Sequence, residues 1–281
     1  MNIVVAHVVG GIAPRNGGPA YSVPRLCVAL GLRGVDAKIF TLLEADSPSC
    51  ESTSFFPPSA CGVPWLTKAK VSSSMRSALQ SERHLTNIIH SHGLWLAPNV
   101  YAGRAAVVLD KPLVVSPRGM VSREALQFSS LSKKLMWFAL QGPAYSRAGA
   151  WHATSVEEAE DIRSFGVKAP IAIIPNGIDL PDVRATHPPG HVPRTLLFLS
   201  RIHPKKGLPV LLEAWALVEA LRPEWKLVIA GPDEAGHCAE LAGQVRRLGV
   251  SRVEFCGAVY GSDKDRLLRD ADLFVLPTLS E

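Results

Sequence analysis

The 281-residue chain is long enough for two domains of ordinary size, and with 47% hydrophobic and 20% charged residues it has the composition of a globular protein. It lacks the run of about 18 apolar residues that would span a membrane, and its start, MNIVVAHVV, has neither the basic flank nor the cleavage site of a signal peptide. Five cysteines without a C-x-x-C pair argue against disulfide and metal roles, so we expect a reduced, cytoplasmic protein.

Charge is distributed unevenly along the chain. Residues 1–190 carry 18 Lys and Arg against 13 Asp and Glu, whereas residues 191–281 carry 12 of each, so the first part accounts for the net charge of +5. A basic surface suits an anionic partner such as a membrane face, a phospholipid-linked acceptor or a nucleic acid. Solubility alone explains so small an excess equally well. Because no run of Lys or Arg exceeds two residues, we expect no nucleic-acid partner.

Apolar runs rich in Val and Ile alternate with helical patterns through the first two thirds of the chain. This alternation predicts a parallel sheet with helices on both faces. The Ser-, Pro- and Cys-rich stretch from Glu44 to Pro64 is predicted to be a loop. The predicted strands are 2–9, 36–43, 87–92, 112–119, 150–155 and 171–179, and the predicted helices are 19–34, 72–84, 98–110, 129–148 and 156–166.

A proline-rich stretch without periodicity, residues 179–194, is predicted to be a linker to a second series of the same kind. The fold class is therefore α/β, with two Rossmann-like parallel-sheet domains that we divide into residues 1–185 and 186–281. Because open parallel sheets bind ligands at the carboxyl ends of their strands, we expect the ligand crevice between the two domains. The predicted strands of the second series are 195–202, 225–232, 253–259 and 272–278, and its helices are 207–222, 239–249 and 263–271.

The loop GGIAPRNGGPA follows the first predicted strand and precedes a helix. Its glycines, including Gly17 and Gly18, let backbone N–H groups approach a phosphate or a sugar at the helix start. The spacing differs from G-x-G-x-x-G, so the dinucleotide-binding fingerprint is absent. A flexible loop is the alternative explanation.

The segment SRIHPKKGL follows the first strand of the second series and places Arg201 and Lys206 at the start of a helix. The planar fork of arginine and the point charge of lysine together suit a diphosphate leaving group. A solvated basic turn is the alternative. The position at the carboxyl end of a strand favours anion binding.

Three further strand ends carry candidate residues. In HSHGLW we expect one of His90 and His92 to point inward and the other outward, and His92, at the strand tip, is the candidate for the crevice. Arg118 in SPRGM suits an anionic acceptor group, and Asn176 in IPNG closes the first sheet. For a histidine at a strand end, a structural role is the common alternative.

Two acidic triplets, DKD at 263–265 and DAD at 270–272, have the D-x-D spacing of some metal sites. We expect Asp263 to be a helix N-cap, and Asp272 directly precedes an apolar strand, so structural roles are favoured for both. No other His, Cys or Asp cluster has metal spacing in the sequence, and we expect neither a bound metal nor another cofactor.

Taken in order, these segments resemble glycosyltransferase family 4, whose members have the GT-B fold. The resemblance runs from Met1 to the last residue through GGIAPRNGGPA, HSHGLW, SPRGM, HATS, IPNGID, SRIHPKKGL, LVIAGP, FCGAV and ADLFVLPTLSE. It implies a retaining hexosyltransferase that moves a sugar from a nucleotide-sugar donor to a saccharide or lipid-linked acceptor without a metal. It also implies a place in surface polysaccharide or glycolipid synthesis, at the inner face of the plasma membrane.

The resemblance assigns roles to residues as well. His92 would face the sugar in an oxocarbenium-like transition state. Independently of the resemblance, their positions at strand ends lead us to expect that Arg118 and Asn176 bind the acceptor. The Arg/Lys pair would stabilise the departing diphosphate. Donor binding would involve Gly17, Gly18, Arg201, Lys206 and Gly231.

The last residues, PTLSE, resemble the start of an E-x7-E motif, in which Glu281 would be the first Glu and would contact the donor sugar. The second Glu, which contacts the ribose in the family, would lie beyond the chain. Residues 191–281 supply 91 residues, whereas a domain of this kind usually takes about 100–150. We therefore expect a truncated second domain. An active transferase and a non-catalytic remnant of one both remain open.

The segment SSLSKKLMWFALQ places Lys133 and Lys134 near Met136, Trp137 and Phe138. Basic and aromatic residues in one helical segment are typical of peripheral membrane contact. A core helix with a basic outer turn is the favoured alternative.

Overall fold

The computed structural model describes residues 3–49, 51–59, 67–81, 86–127, 130–178, 191–234 and 236–278. The chain divides into two compact units, Met1–Asp179 and Leu180–Glu281. The domain boundary predicted after residue 185 falls in the stretch 179–190, which lies outside the described residues. Each unit has its own parallel sheet and its own hydrophobic core.

The first unit is built on a seven-stranded parallel sheet. Its strands are β1 (Val4–Val9), β2 (Asp36–Leu42), β3 (Thr53–Phe56), β4 (Ile88–His92), β5 (Leu113–Ser116), β6 (Ala148–Ala153) and β7 (Ile171–Ile173). Their order is β3-β2-β1-β4-β5-β6-β7, so the direction of winding reverses between β1 and β4. The central strands are apolar along their length because helices cover both faces of the sheet.

The helices of the first unit are α1 (Gly18–Gly31), α2 (Ser73–Ser81), α3 (Ala97–Leu109), α4 (Arg123–Gln127), α5 (Ser130–Met136), α6 (Gly142–Tyr145) and α7 (Val156–Ser164). Helix α3 is buried on most of its surface, because small residues allow close packing. At Gly103 an added Cβ would lie 2.6 Å from the Ala144 carbonyl oxygen, so the glycine permits α3 and α6 to touch. This contact places Tyr145 behind strand β4.

Two predictions of secondary structure in the first unit were wrong. The predicted loop 44–64 contains strand β3, whose Phe55 and Phe56 pack against the sheet. The single helix predicted over 129–148 is divided by a π-helical turn, Trp137–Gln141. The Gly142 N–H donates to the Trp137 carbonyl five residues earlier, and Pro143 has no N–H with which to continue the α-helical pattern.

The second unit carries a four-stranded parallel sheet. Its strands are β8 (Arg194–Leu199), β9 (Trp225–Ala230), β10 (Val253–Gly257) and β11 (Leu273–Phe274), in the order β10-β9-β8-β11. The helices are α8 (Leu208–Val218), α9 (His237–Leu248) and α10 (Gly261–Arg269). The four strands and three helices predicted for this part are thus found among its described residues. In strand β11, Leu273 is 56% exposed and Phe274 is 53% exposed.

Among the described residues, no helix combines the length and the apolar character that crossing a membrane requires.

Candidate functional site

The candidate site of the first unit lies where the strand order reverses, between β1 and β4. Loops that leave neighbouring strands in opposite directions open a crevice at this point of a doubly wound sheet. The Gly-rich loop follows β1, and His92 ends β4. The next strand, β5, ends at Ser116, two residues before Arg118.

The Gly-rich loop has fewer free backbone N–H groups than the predicted phosphate or sugar site would need. Gly17 is the N-cap of α1 with φ 73°, in the left-handed region that favours glycine, and no side chain caps the helix. Pro19 has no N–H, and the Ala20 N–H donates to the Gly17 carbonyl. An added Cβ at Gly17 or Gly18 would meet no atom within 4 Å, so this exposed turn is open to a ligand.

A polar network that the sequence did not predict holds the first half of this loop. Lys70 Nζ donates to the Gly10 carbonyl at 3.2 Å, to Asn16 Oδ1 at 3.1 Å and to Glu44 Oε1 at 3.0 Å. Gly11 lies against the same carboxylate, because an added Cβ there would be 2.5 Å from Glu44 Oε2. These contacts therefore fix the conformation of the loop up to Asn16.

Three histidines meet below the strand ends. His7 in β1 is the register partner of His90 in β4, and the rings of His90 and His92 lie 4.1 Å apart. The prediction that His90 and His92 point to opposite faces was wrong. Side chains alternate with a period of two, so residues i and i+2 of a strand share a face. His7 and His92 are buried, and His7 Nδ1 lies 3.0 Å from His92 Nε2.

The hydrogen-bond pattern fixes where the protons of the first two rings lie. Arg118 Nη2 is 3.2 Å from His92 Nδ1, and a guanidinium has donors only, so His92 Nδ1 accepts. A neutral His92 then carries its proton on Nε2 and donates it to His7 Nδ1. His7 in turn carries its proton on Nε2, a buried atom without a hydrogen-bond partner among the described residues.

A second chain of hydrogen bonds runs from His90 in the same way. The Ile174 carbonyl accepts from His152 Nε2 at 2.8 Å, so His152 Nδ1 accepts from the Ser116 hydroxyl, also at 2.8 Å. Ser116 Oγ is then the acceptor for His90 Nε2 at 2.7 Å. In their neutral forms, all four histidines therefore have a defined tautomer.

Burial disfavours a positive charge on these rings. It lowers the pKa of His7 to about 4, with a further contribution from the Arg118 cation. Burial is also the first cause that lowers the pKa of His90 and His92 well below the usual histidine value, followed by their histidine neighbours. The pKa of His152 is lowered for the same reason, although its hydrogen bond to the Ile174 carbonyl opposes the change.

Arg118 and Asn176, both predicted to bind the acceptor, lie together beside His92. Arg118 Nη1 donates to Asn176 Oδ1 at 2.6 Å. Arg118 Nε is buried without a hydrogen-bond partner, and within the described part of the chain no carboxylate forms an ion pair with this guanidinium. Burial lowers the pKa of Arg118, and Glu158 partly offsets this at a distance. The result is a partly buried cation whose contacts are all neutral.

The backbone around Arg118 is held by Glu158. Arg118 itself has φ 57°, unusual for a residue with a side chain. The Glu158 carboxylate accepts from the Gly119 N–H at 2.7 Å and from both the N–H and the hydroxyl of Thr154 at 2.7 Å. This buried carboxylate thus joins the loop after β5 to the loop after β6.

His7, His90 and His92 form a group with metal-binding residue types, since one nitrogen of each lies within 4.8 Å of the others. The hydrogen bonds favour a proton over a metal at this place. To ligate through Nε2, His92 would need its proton on Nδ1, where it would face the N–H of Arg118. Ligation through Nδ1 would compete with the same guanidinium.

Because the buried histidines are neutral in the native protein, we expect the protein to lose stability in acid. In the unfolded chain a histidine has a pKa near 6.5, so below this pH the unfolded state binds protons that native His7 does not. The contribution of neutral His7 to the free energy of unfolding is therefore fully present above pH 6.5, and it is lost as the pH drops toward 4. At pH 5 His7 alone accounts for a loss of about 2 kcal/mol. Urea unfolding of the wild type and of His7→Gln at pH 7.5 and pH 5 measures this, and equal losses in the two proteins would contradict it.

The predicted donor residues of the second unit lie at the ends of β8 and β9. Arg201 Nη1 forms an exposed ion pair with Glu234 Oε1 at 3.0 Å. Gly231 has φ 147° and packs against the backbone of Ser200, because an added Cβ would be 1.8 Å from the Ser200 carbonyl oxygen. Gly231 thereby brings the two loops together, which also pair through Ile202 and Asp233.

Lys206 lies in a 3₁₀ turn, Pro204–Lys206, directly before α8. Gly207 follows with φ 69° and caps the helix, whose second residue is Pro209. The structure therefore places Lys206 at a helix start, as predicted. Glu281, the predicted sugar contact, lies outside the described residues.

The two acidic triplets have structural contacts. Asp263 is not the predicted N-cap, because α10 begins two residues earlier at Gly261, and it pairs instead with Arg266 at 3.0 Å. Asp272 Oδ2 accepts from the Thr195 N–H at 2.7 Å and thereby joins the start of β11 to β8.

Two family models match the chain. The one described as Glycosyltransferase Family 4 matches residues 16–182, and the one described as Glycosyl transferases group 1 matches residues 193–281. A phosphatidyl-myo-inositol mannosyltransferase of Mycobacterium tuberculosis is 35% identical over 108 residues, which cover 37% of this chain and 28% of the relative. The enzyme of the same name from Mycolicibacterium smegmatis is 32% identical over 110 residues, which cover 38% of this chain and 28% of the relative. The match thus spans less than a third of these curated relatives.

Solved structures resemble the chain over nearly its whole length. Anabaena HepE in complex with UDP and glucose has a TM-score of 0.72 at 19% identity, over 99% of this chain and 75% of that one. The catalytic domain of starch synthase IV from Arabidopsis thaliana, bound to ADP and acarbose, has a TM-score of 0.68 at 14% identity, over 100% and 79%. At these identities the likeness concerns the fold, and the predicted fold of two parallel-sheet α/β domains is confirmed.

Proposed function

Because this chain belongs to glycosyltransferase family 4, we propose that it transfers a sugar from a nucleotide-sugar to a phosphate-bearing, lipid-linked acceptor. Retention of configuration and a place in surface polysaccharide or glycolipid synthesis are carried over from the family. The similarity to the mycobacterial phosphatidyl-myo-inositol mannosyltransferases supports a mannosyl donor and a phospholipid acceptor.

The observation that carries the acceptor side is the Arg118 cation, which forms no ion pair with a carboxylate among the described residues. Its guanidinium is partly buried, it contacts His92 and Asn176 through neutral groups, and its Nε has no partner among the described residues. A buried charge without a counter-ion is costly, and an anionic ligand would remove that cost. A phosphate presents two oxygens to a planar guanidinium, which can bind them with two parallel hydrogen bonds.

On the donor side, Arg201 and Lys206 are proposed to hold the diphosphate. The exposed Arg201–Glu234 ion pair contributes about 0–1 kcal/mol, so a diphosphate displaces Glu234 from Arg201 at little cost. Lys206 adds a second cation at the start of α8, where the helix dipole also favours an anion. These groups supply the charge stabilisation of the leaving group, and the proposed reaction involves no metal.

Peripheral membrane contact is part of the proposal. Leu131, Leu135 and Phe138 are exposed by 84%, 70% and 77%, and Lys133 and Lys134 lie on the same segment. An exposed apolar set with adjacent lysines fits the boundary of an anionic membrane, where a lipid acceptor is found.

A transfer assay with a matched pair of variants tests the role of Arg118. The protein is incubated with labelled GDP-mannose, UDP-glucose or ADP-glucose and vesicles that contain phosphatidylinositol. We expect labelled lipid from one donor, and a loss of about 100-fold in rate for Arg118→Gln, since a charge-assisted contact to the acceptor is removed. Arg104→Gln, an exposed cation on α3, should keep the full rate. Equal rates in the two variants would contradict the proposal. A folded wild type without transfer from any donor would favour the non-catalytic alternative.

A further inference from the structure

We propose that His7 is a positioning residue: by accepting the Nε2 proton of His92, it keeps the Nδ1 lone pair of His92 directed at Arg118. The inference rests on the proposed role of Arg118 as the anion-binding group. His92 is then the link through which a residue of the first strand holds the guanidinium that meets the acceptor.

The position of His7 is set by the sheet rather than by a loop. It lies in the middle of β1, in register with His90 of β4, and Val9 is the partner of His92. Its side chain is fully buried, and its ring is nearly parallel to that of His92, with 5.3 Å between the centroids and 16° between the planes. Little water competes for the 3.0 Å hydrogen bond between these rings, so the contact is stronger than at the surface.

The His92 carbonyl and the Nη1 group of Arg118 have hydrogen-bond partners of their own. Asn99 Nδ2 donates to the His92 carbonyl at 2.9 Å, and Asn176 Oδ1 accepts from Arg118 Nη1. Within the described residues, His7 is the group that contacts His92 Nε2. Without an acceptor there, only the contact with Arg118 keeps the proton of His92 on Nε2. Its move to Nδ1 would set one donor against another at 3.2 Å and displace the guanidinium.

Two substitutions separate the acceptor function of His7 from its volume. His7→Asn places an amide oxygen near the position of Nδ1 and retains an acceptor, whereas His7→Leu fills similar space without one. Nitrogen NMR of protein labelled with ¹⁵N at its nine histidines reports the tautomer of each ring. Titration with inorganic phosphate reports the state of Arg118 without any need for transfer activity.

We expect His92 of the wild type and of His7→Asn to carry its proton on Nε2, and His92 of His7→Leu to show a mixture of tautomers. Phosphate affinity should fall about 10-fold in His7→Leu and stay within about 3-fold of the wild type in His7→Asn. Arg118→Gln should abolish the titration. Retention of the wild-type affinity in His7→Leu would overturn the proposal.

The wild-type spectrum decides the matter even if His7→Leu fails to fold. A proton on His92 Nδ1, or nitrogen shifts that move on addition of Zn²⁺ because a metal occupies the three histidines, would overturn the proposal. If the wild type shows the expected tautomers but binds no phosphate, the anion-binding role of Arg118 fails. In that case His7 still orients His92, but the link from His92 to an acceptor is refuted.

Discussion

Gly231→Ala is expected to destabilise the second unit by about 4 kcal/mol. The new Cβ would lie 1.8 Å from the Ser200 carbonyl oxygen and 2.7 Å from its carbonyl carbon, and φ of 147° is itself unfavourable for alanine. The loops cannot separate easily. The Gly231 N–H donates to the Gly257 carbonyl at 2.7 Å, and the Ile202 N–H donates to the Pro232 carbonyl at 2.8 Å. Urea unfolding, followed by the fluorescence of tryptophans that include Trp215 and Trp225 of this unit, measures the loss of stability.

Gly243→Ala is the matched control for this substitution, because it makes the same chemical change in the same unit with the opposite expected sign. Gly243 lies inside α9, and the nearest atom to an added Cβ is 3.6 Å away at the end of the flexible Arg247 side chain. Alanine in a helix interior should therefore stabilise by about 0.5–1 kcal/mol. If Gly231→Ala were as stable as the wild type, the close approach of the β8 and β9 loops, and the placement of Arg201 that depends on it, would be wrong.

Glu158→Ala should lower the stability of the first unit by about 2–3 kcal/mol and should also impair acceptor binding. The substitution leaves the Gly119 N–H, the Thr154 N–H and the Thr154 hydroxyl without their common acceptor. It also releases the loop that holds Arg118 at φ 57°. Thermal unfolding measures the first effect, and phosphate titration measures the second.

Glu160→Ala serves as the control for Glu158→Ala, since Glu160 lies on the same helix with its side chain exposed. This variant should match the wild type in both measurements. A Glu158→Ala protein that melts early but binds phosphate normally would show that the carboxylate supports the fold without positioning Arg118.

The sequence predicted those site residues that lie at the ends of strands. His92 ends β4, and Arg118 and Asn176 follow β5 and β7, and parallel strands bring such residues to one edge of a sheet. In the structure Arg118 contacts both His92 and Asn176. Periodicity, strand-rich composition and the helix start at Lys206 were local signals, and they were sufficient for most strands and helices, but not for β3 or for the π-helical turn at Trp137–Gln141.

The residues that the sequence missed act through long-range contacts. His7 sits inside an apolar strand, and its polarity among valines was a signal, but its partner is 85 residues away. Ser155 and Glu158 have the spacing of a capping box, yet Glu158 also reaches Gly119, 39 residues earlier in the chain. The Glu44–Lys70 network joins two predicted loop or helix-flanking segments for which periodicity carries no information. Such contacts depend on strand register and loop path, which a pattern of apolar residues does not specify.

Transfer by the wild-type protein, with the configuration of the product recorded, is the most direct test of the central claim. Unlabelled donors are supplied with phosphatidylinositol vesicles, and the anomeric coupling of the product sugar is read by NMR. The proposed function predicts glycolipid formed from one nucleotide-sugar, with the anomeric configuration of the donor retained. Free sugar without glycolipid, an inverted product, or no turnover by a folded protein would each contradict it.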